Sequence, residues 1–160
     1  MCRQELEGVV LKMVEKSFMV RQVAVFLDNR PGSLAEIARH LANRDINLHA
    51  LSLAGTRDFE TVRLIAADPD ACGKALNEAQ YHFIETDVLA VEVADKPGGL
   101  ADVLEIIAQE HLNVEYMYAM VEKKEGFAVI ILRVDDPLKA CMVLHAKGVK
   151  LLAEEDIASL

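Results

Sequence analysis

Apolar positions along the chain alternate between the period of a strand and the period of a helix. Residues 20–27 are largely β-branched or apolar, which is typical of a half-buried strand. Apolar residues then recur at spacings of three and four, which predicts one helix face turned toward a core: Leu34, Ile37, Ala38 and Leu41. Residues 46–54 and 61–66 predict two further strands around a turn at 55–58, and a fourth strand begins near His82.

A second helix is predicted between the third and fourth strands. Asp68 is a good N-cap residue, and Pro69 fits the first helical position because its missing N–H has no partner there anyway. The face of this helix that we expect to be buried consists of small and apolar residues: Cys72, Ala75, Leu76 and Ala79.

The same order of elements occurs a second time. The matching helix face follows 66 residues later and consists of Leu100, Val103, Leu104 and Ile107. Asp136-Pro137 repeats the cap at an offset of 68, so the intervening turn at 122–126 has gained two residues. The strands predicted for this copy are 86–93, 112–120, 127–134 and 149–152.

Each copy is a strand–helix–strand–strand–helix–strand unit, which is the ferredoxin-like plan. We therefore predict an α+β chain of two tandem ferredoxin-like βαββαβ units with antiparallel sheets, packed side by side. The predicted domains are 19–85 and 86–160, after an N-terminal extension at 1–18. Within that extension Leu6, Val9, Val10 and Met13 recur at helical spacing, so a short amphipathic helix and an upstream extension before a start near Met19 both stay open.

A short polar stretch occurs at the first strand–helix junction of each copy. It is Asn29-Arg30-Pro31-Gly32-Ser33-Leu34 in the first copy and Asp95-Lys96-Pro97-Gly98-Gly99-Leu100 in the second. A Pro-Gly corner turns the chain sharply and leaves the first N–H groups of the helix without intrahelical partners. Because the helix dipole is positive at that end, the corner predicts a site for the carboxylate of a small anionic or zwitterionic ligand.

Composition narrows the classes of partner. The chain has 160 residues, of which 52% are hydrophobic and 27% charged, as in ordinary globular proteins. Seventeen Lys and Arg against 26 Asp and Glu give a net charge of −9 without a basic patch, which argues against a nucleic-acid partner. No apolar run approaches the roughly 20 residues that span a bilayer. Three scattered cysteines predict neither a disulfide framework nor a zinc site, so we expect a cytoplasmic protein.

The repeated motif resembles the ACT domain, a regulatory module that binds amino acids, commonly where two such domains meet. The resemblance rests on Asn/Asp-x-Pro-Gly-x-Leu after a strand, followed beyond the helix by Ile46-Asn47-Leu48 in the first copy and Leu112-Asn113-Val114 in the second. It covers residues 20–153.

The resemblance implies a role for each matching position. Asn29 and Asp95 would hold the polar groups of the ligand, and the N–H groups of Gly32, Ser33 and Leu34, or of Gly98, Gly99 and Leu100, would face its carboxylate. Asn47 and Asn113 would reach in from the neighbouring unit, so that Asn29 shares a site with Asn113 and Asp95 with Asn47. A histidine that serine-responsive phosphoglycerate dehydrogenases carry two residues before the loop asparagine is Leu27 here and Val93 in the second copy, which argues against serine.

A purely structural role is the alternative at each of these positions, because Asn and Asp often stabilise turns through their own backbone. Asp95 is the sharper candidate of the two loop residues, since a carboxylate binds an ammonium group through a charge-assisted hydrogen bond. Gly99, in the place of Ser33, also leaves room for a close backbone approach. If only one site works, we expect it to use the Asp95 loop.

The remaining chemistry-bearing residues show no catalytic pattern. Tyr116 and Tyr118 are predicted to share one strand face with Met117 on the other, either lining a pocket or packing between units. The five histidines have no ligand spacing, and we expect most of them at the surface or at helix ends. No nucleophile motif or phosphate loop is present, and we expect no metal or cofactor.

The sequence thus predicts a non-catalytic tandem ACT protein that binds a small L-amino acid and regulates a metabolic enzyme or pathway, as a homodimer. An alternative is the regulatory small subunit of an amino-acid biosynthetic enzyme such as acetohydroxyacid synthase, whose second half does not normally repeat Pro-Gly-x-Leu. An acylphosphatase-like enzyme would need a phosphate-cradling loop around an arginine, and Arg30 is followed by proline instead. A purely structural dimerisation module is the third alternative.

Overall fold

A computed structural model describes residues 18–56, 58–121 and 126–159. Within these ranges the chain forms seven strands and five helices. In chain order they are β1 (Met19–Asp28), α1 (Ser33–Ala42), β2 (Leu48–Gly55), β3 (Phe59–Ala66), α2 (Pro69–Glu78), β4 (Phe83–Ala94), α3 (Gly99–Gln109), β5 (Val114–Ala119), β6 (Phe127–Val134), α4 (Pro137–Ala146), β7 (Leu151–Leu152) and α5 (Glu154–Ala158). Three sequence predictions lie wholly or partly outside the described residues: the helix within 1–17, position 57 of the first turn and 122–125 of the second.

The first unit comprises Arg21–Thr86. Its strands lie in the order β2-β3-β1, with β4 beside β1. The pairing of β2 with β3 and that of β3 with β1 are both antiparallel. Both helices pack on one face of this sheet, because inward residues of β1 and β3 share one core with residues of α1 and α2. That core includes Val23, Val25, Leu64, Ile37, Leu41, Cys72 and Leu76.

The second unit comprises residues 87–159 together with residues 18–20. Its strands lie in the order β5-β6-β4-β7, and all three pairings are antiparallel. Helices α3 and α4 contribute to a core with the inward residues of β4 and β6: Leu89, Val91, Val103, Ile107, Leu132, Ala140 and Leu144. The prediction of two α+β ferredoxin-like units with antiparallel sheets is therefore confirmed.

The two units also share structural details that were not predicted from the sequence. The second strand of each unit has a β-bulge, at His49 in β2 and at Glu115 in β5, again 66 residues apart. Both proline helices begin as predicted: the Asp68 side chain accepts from the Ala71 N–H at 2.9 Å, and the Asp136 side chain accepts from the Lys139 N–H at 3.0 Å. The same two-helix pattern is thus built twice with the same caps.

The structure corrects several element predictions. Ala79 is exposed because α2 ends at Glu78 and leaves Ala79 as its C-cap, and Ala38 is exposed on α1 because an alanine at the edge of the apolar stripe does not reach the core. The two strands expected on either side of residue 85 are one continuous strand, β4. The five-residue helix α5 was not predicted. Its first turn has three acidic residues and only one of its residues, Ile157, is apolar and buried, so it shows no apolar periodicity. No helix in the described ranges is long and apolar enough to cross a membrane.

The Cys72 thiol gives the first unit a predictable response to alkaline pH. Cys72 is 0% exposed, and its burial raises the pKa of the thiol from 9.0 to about 11. Because the folded state then holds the proton more tightly than the unfolded chain does, the contribution to stability is complete below pH 9 and is lost as pH rises toward 11. We expect the free energy of unfolding to fall over this interval by about 2 kcal/mol more in the wild type than in Cys72→Ala. Urea unfolding at pH 8.5 and 10.5 measures this difference, and equal pH slopes would contradict it.

Candidate functional site

The two Pro-Gly loops have the same backbone geometry. Gly32 precedes α1 with φ of 98°, and Gly98 precedes α3 with φ of 92°, so both occupy the left-handed region that glycine adopts without strain. Neither helix has a side-chain hydrogen bond at its N-cap, whereas Asp68 and Asp136 cap α2 and α4. The N-termini of α1 and α3 therefore have no capping side chain, although Glu36 and Asp102 lie in their first turns, whereas those of α2 and α4 are capped by a carboxylate.

Each loop uses some of its own N–H groups. The N–H of Ser33 donates to the Arg30 carbonyl at 3.2 Å, and the N–H of Gly99 donates to the Lys96 carbonyl at 3.1 Å. The neighbouring groups of Leu34 and Leu100 lie in the first turn, where no carbonyl four residues back belongs to the helix. Of the predicted carboxylate donors, Ser33 and Gly99 thus close the turns, and Leu34 and Leu100 sit where an anion is favoured.

The first loop is held by side chains. Asn29 donates through Nδ2 to the Thr56 carbonyl at 3.1 Å, and the Ser33 hydroxyl donates to the Asp28 carbonyl at 2.9 Å. Arg30 makes two hydrogen bonds to Glu36, at 3.0 and 2.6 Å, in an ion pair that is about half exposed. The hydrogen bonds from Arg30 lower the pKa of the Glu36 carboxyl below its usual value. Asn29 therefore already has a structural partner for its amide group.

Backbone contacts help to position the second loop. The N–H of Asp95 donates to the Gly126 carbonyl at 3.0 Å, and Asp95 itself is exposed. Gly99 is buried, and a Cβ added there would lie 2.1 Å from the Ala94 carbonyl oxygen. From the sequence we expect Gly99 to leave room for a close approach to the backbone at the ligand site; in the structure the group closest to the position of an added Cβ is the chain's own Ala94 carbonyl.

The two predicted asparagines outside the loops lie at the far end of their units. Asn47 is exposed just before β2 begins, whereas Asn29 bonds to Thr56 just after β2 ends. The eight residues of β2 separate them by about 27 Å at 3.4 Å per residue. Asn113 lies in the same way at the start of β5, where its N–H donates to Asp135 Oδ1 at 3.0 Å. A unit does not bring its own loop residue and asparagine together, and the predicted sharing between units stays a prediction.

The tyrosines and histidines considered in the sequence analysis lie outside the two loops. Tyr116 and Tyr118 are half-buried on one face of β5 while Met117 is 39% exposed, as the alternation predicted. His49 departs from the expectation for the histidines, because the β-bulge buries it to 2% exposure. Among the described residues no group of three or more His, Cys, Asp or Glu is placed to hold a metal ion.

Sequence reasoning missed a cavity of about 210 Å³ in the first unit. It lies where the end of β1, the start of α1 and the connection from α2 to β4 meet. The residues that line it are Phe26, Leu27, Asp28, Arg30, Ser33, Glu36, Gln80, Tyr81 and His82. The only hint in the sequence is Tyr81-His82, two polar aromatic residues at the predicted start of a strand. No sequence pattern indicates that these residues lie close to residues more than 40 positions earlier.

Comparisons with known proteins agree with this architecture. The family model of an ACT domain pair matches residues 18–160. A crystal structure of protein BT0572 from Bacteroides thetaiotaomicron is 36% identical, superposes with a TM-score of 0.84, and the match covers 89% of this chain and 98% of that one. No curated protein matches the chain.

More distant structures share the fold alone. The regulatory subunit of aspartate kinase from Thermus thermophilus superposes with a TM-score of 0.56 at 16% identity, over 79% of this chain and 91% of that one. The corresponding subunit from Thermus flavus gives 0.55 at 14% identity, over 79% and 90%. With the family model spanning both units, the chain belongs to the ACT domain pair family.

Proposed function

We propose that this chain is a non-catalytic regulatory protein of the cytoplasm that binds a small L-amino acid at its Pro-Gly loops. The observation that carries the proposal is the contrast between helix N-termini. Helices α2 and α4 are capped by the carboxylates of Asp68 and Asp136, whereas α1 and α3 begin at left-handed glycines without a side-chain cap. A ligand carboxylate at α1 or α3 would stand in for the missing cap.

The Asp95 loop offers partners for both charged groups of an amino acid. An amino acid carries a carboxylate for the N–H groups of Gly98 and Leu100, and an ammonium group for the exposed Asp95 carboxylate. At the first loop, the corresponding Asn29 is neutral and cannot form a charge-assisted hydrogen bond to an ammonium group through a carboxylate. A second ligand at Asn29, Gly32, Ser33 and Leu34 is therefore expected to bind more weakly than the first.

The regulated partner is proposed to be a metabolic enzyme. Two of the similar structures are regulatory subunits of aspartate kinase, which supports a role as a separate regulatory chain. The small subunit of an amino-acid biosynthetic enzyme such as acetohydroxyacid synthase is the alternative, and the Pro-Gly loop repeated in the second unit argues against it.

A thermal-shift screen of the common L-amino acids tests the proposal. A ligand at about 100 times its dissociation constant stabilises a protein with one site by about 2.7 kcal/mol. We expect at least one L-amino acid to raise the melting temperature, and its D-enantiomer or its amide to raise it much less. A panel in which no amino acid shifts the melting temperature would overturn the proposal.

Self-association through the β2 edge is the expected form of the homodimer. Among the described strands β2 pairs with β3 alone, it carries no Lys, Asp, Glu or Pro, and Leu51 and Leu53 are 41% and 44% exposed. Edges of this kind readily pair with another chain unless a charge interrupts them. We expect Leu53→Lys to weaken the dimer at least tenfold in sedimentation equilibrium.

Leu138→Lys, at a 42% exposed leucine on α4, is the matched control for that substitution and should leave the dimer intact. A wild type that is monomeric at every concentration, or equal effects of the two substitutions, would exclude a dimer through β2.

A further inference from the structure

The cavity of the first unit lies on a different side of β1 from the Asn29 side chain. Asn29 bonds to Thr56, after β2, on the β3 side of β1. The cavity instead adjoins the entry to β4, where the Phe26 N–H donates to the His82 carbonyl at 3.0 Å. At about 30 Å³ per water, its 210 Å³ correspond to roughly seven waters, which is the room that a small metabolite needs.

The charges that line the cavity leave a surplus of negative charge. Arg30 and Glu36 neutralise each other through two hydrogen bonds. Asp28 makes no ion pair within 4 Å in the described part of the chain, but its charge also acts on Arg30, so Arg30, Glu36 and Asp28 together carry one net negative charge. An occupant that contributes a positive charge is therefore favoured over an anion.

Two aromatic residues strengthen this preference. Phe26 and Tyr81 both line the cavity, and an aromatic ring attracts a cation within about 6 Å of its centre. The Tyr81 ring also packs edge-on against the His40 ring, at 6.0 Å between centroids. His40 is fixed in turn, because its Nε2 lies 2.7 Å from the Ala75 carbonyl oxygen.

The equivalent positions of the second unit carry different side chains. Glu92 and Lys150 occupy the positions of Phe26 and His82, and the same backbone hydrogen bond joins them, from the Glu92 N–H to the Lys150 carbonyl at 2.9 Å. There the Lys150 ammonium binds the Glu92 carboxylate at 2.9 Å. The second unit therefore carries its own ammonium–carboxylate pair.

The first unit keeps a carboxylate at this end, but the position that matches Lys150 is not a lysine. The position of Lys150 is His82, and Asp28 stands where the second unit has Ala94. We propose that the first-unit cavity binds a small organic cation, with its ammonium group between the Asp28 carboxylate and the Tyr81 ring and its hydrocarbon part against Phe26 and Leu27. The ligand supplies from outside the ammonium that Lys150 supplies in the second unit. This site is independent of the amino-acid site proposed at the Asp95 loop.

NMR titration of the full chain with n-butylammonium tests this site, with n-butyrate as the matched anion. Butylammonium is expected to shift the amide resonances of Phe26, Asp28 and Tyr81 with saturation, and butyrate is expected to leave them in place. Asp28→Asn keeps the shape and removes the charge, and should weaken butylammonium binding at least tenfold. Tyr81→Leu should weaken it about threefold or more through loss of the ring.

Two further variants separate this site from general electrostatics and from the loop site. Asp58→Asn removes an exposed acid of the same unit outside the cavity lining, and Asp95→Asn alters the other unit's loop. Both should bind butylammonium as the wild type does. Equal shifts with butyrate, no saturable shifts with butylammonium, or an Asp28→Asn variant that binds like Asp58→Asn would each overturn the proposal. Loss of binding in Asp95→Asn would assign the cation to the loop site instead and would overturn it as well.

Discussion

Gly99→Ala is expected to lower the free energy of unfolding by about 3 kcal/mol, at the upper end of the range for overpacking. The added Cβ would lie 2.1 Å from the Ala94 oxygen and 3.0 Å from its carbonyl carbon. Both are backbone atoms at the junction of β4 and α3, so no side chain can rotate out of the way. Relief requires that α3 move away from the strand that precedes it.

Ser33→Ala is the position-matched control in the first loop. There a Cβ is already accommodated, and the substitution removes only the hydroxyl that donates to the Asp28 carbonyl, at a cost of about 1 kcal/mol. Urea unfolding of the two variants gives the comparison. A Gly99→Ala protein as stable as the wild type would show that the close approach is not a constraint on this loop.

Asp95→Ala is expected to remove much of the stabilisation that an L-amino acid gives. A hydrogen bond between charged groups contributes about 1.5–3 kcal/mol, which corresponds to a loss of affinity of about tenfold or more. The substitution lies at an exposed position, so the melting temperature without ligand should change little. Isothermal titration with the amino acid selected by the screen measures the loss directly.

Glu105→Ala controls for the removal of one negative charge from the same unit. Glu105 is exposed on α3, away from its N-terminal turn, and this variant should bind the amino acid as the wild type does. Equal affinities of Asp95→Ala and Glu105→Ala would remove Asp95 from the site. Loss of binding in both would point to the net charge rather than to the loop.

The fold was predictable because its signals are local and occur twice. Asp68-Pro69 and Asp136-Pro137 define helix starts by chemistry within four residues, and both caps form as predicted. The failures lie where distant packing decides the outcome. The apolar period includes Ala79, yet the helix ends one residue earlier, and α5 depends on burying Ile157 against elements that the local sequence does not reveal.

The candidate site was only partly predictable for the same reason. The Pro-Gly corners placed glycine in the left-handed region before each helix, which follows from local sterics. Tertiary packing determines the hydrogen-bond partners of Asn29 and Ser33. It also brings Asp28 and Tyr81 to the same cavity. Residues far apart in sequence meet there, and no spacing along the chain encodes that meeting.

Amide resonances during titration with the selected L-amino acid test the central claim most directly. If the ligand carboxylate takes the place of a helix cap, the N–H resonances of Gly98 and Leu100 should shift most in the second unit. Those of Ala71 and Lys139, which the Asp68 and Asp136 carboxylates already cap, should stay in place. Saturable binding that leaves Gly98 and Leu100 unshifted would contradict the account.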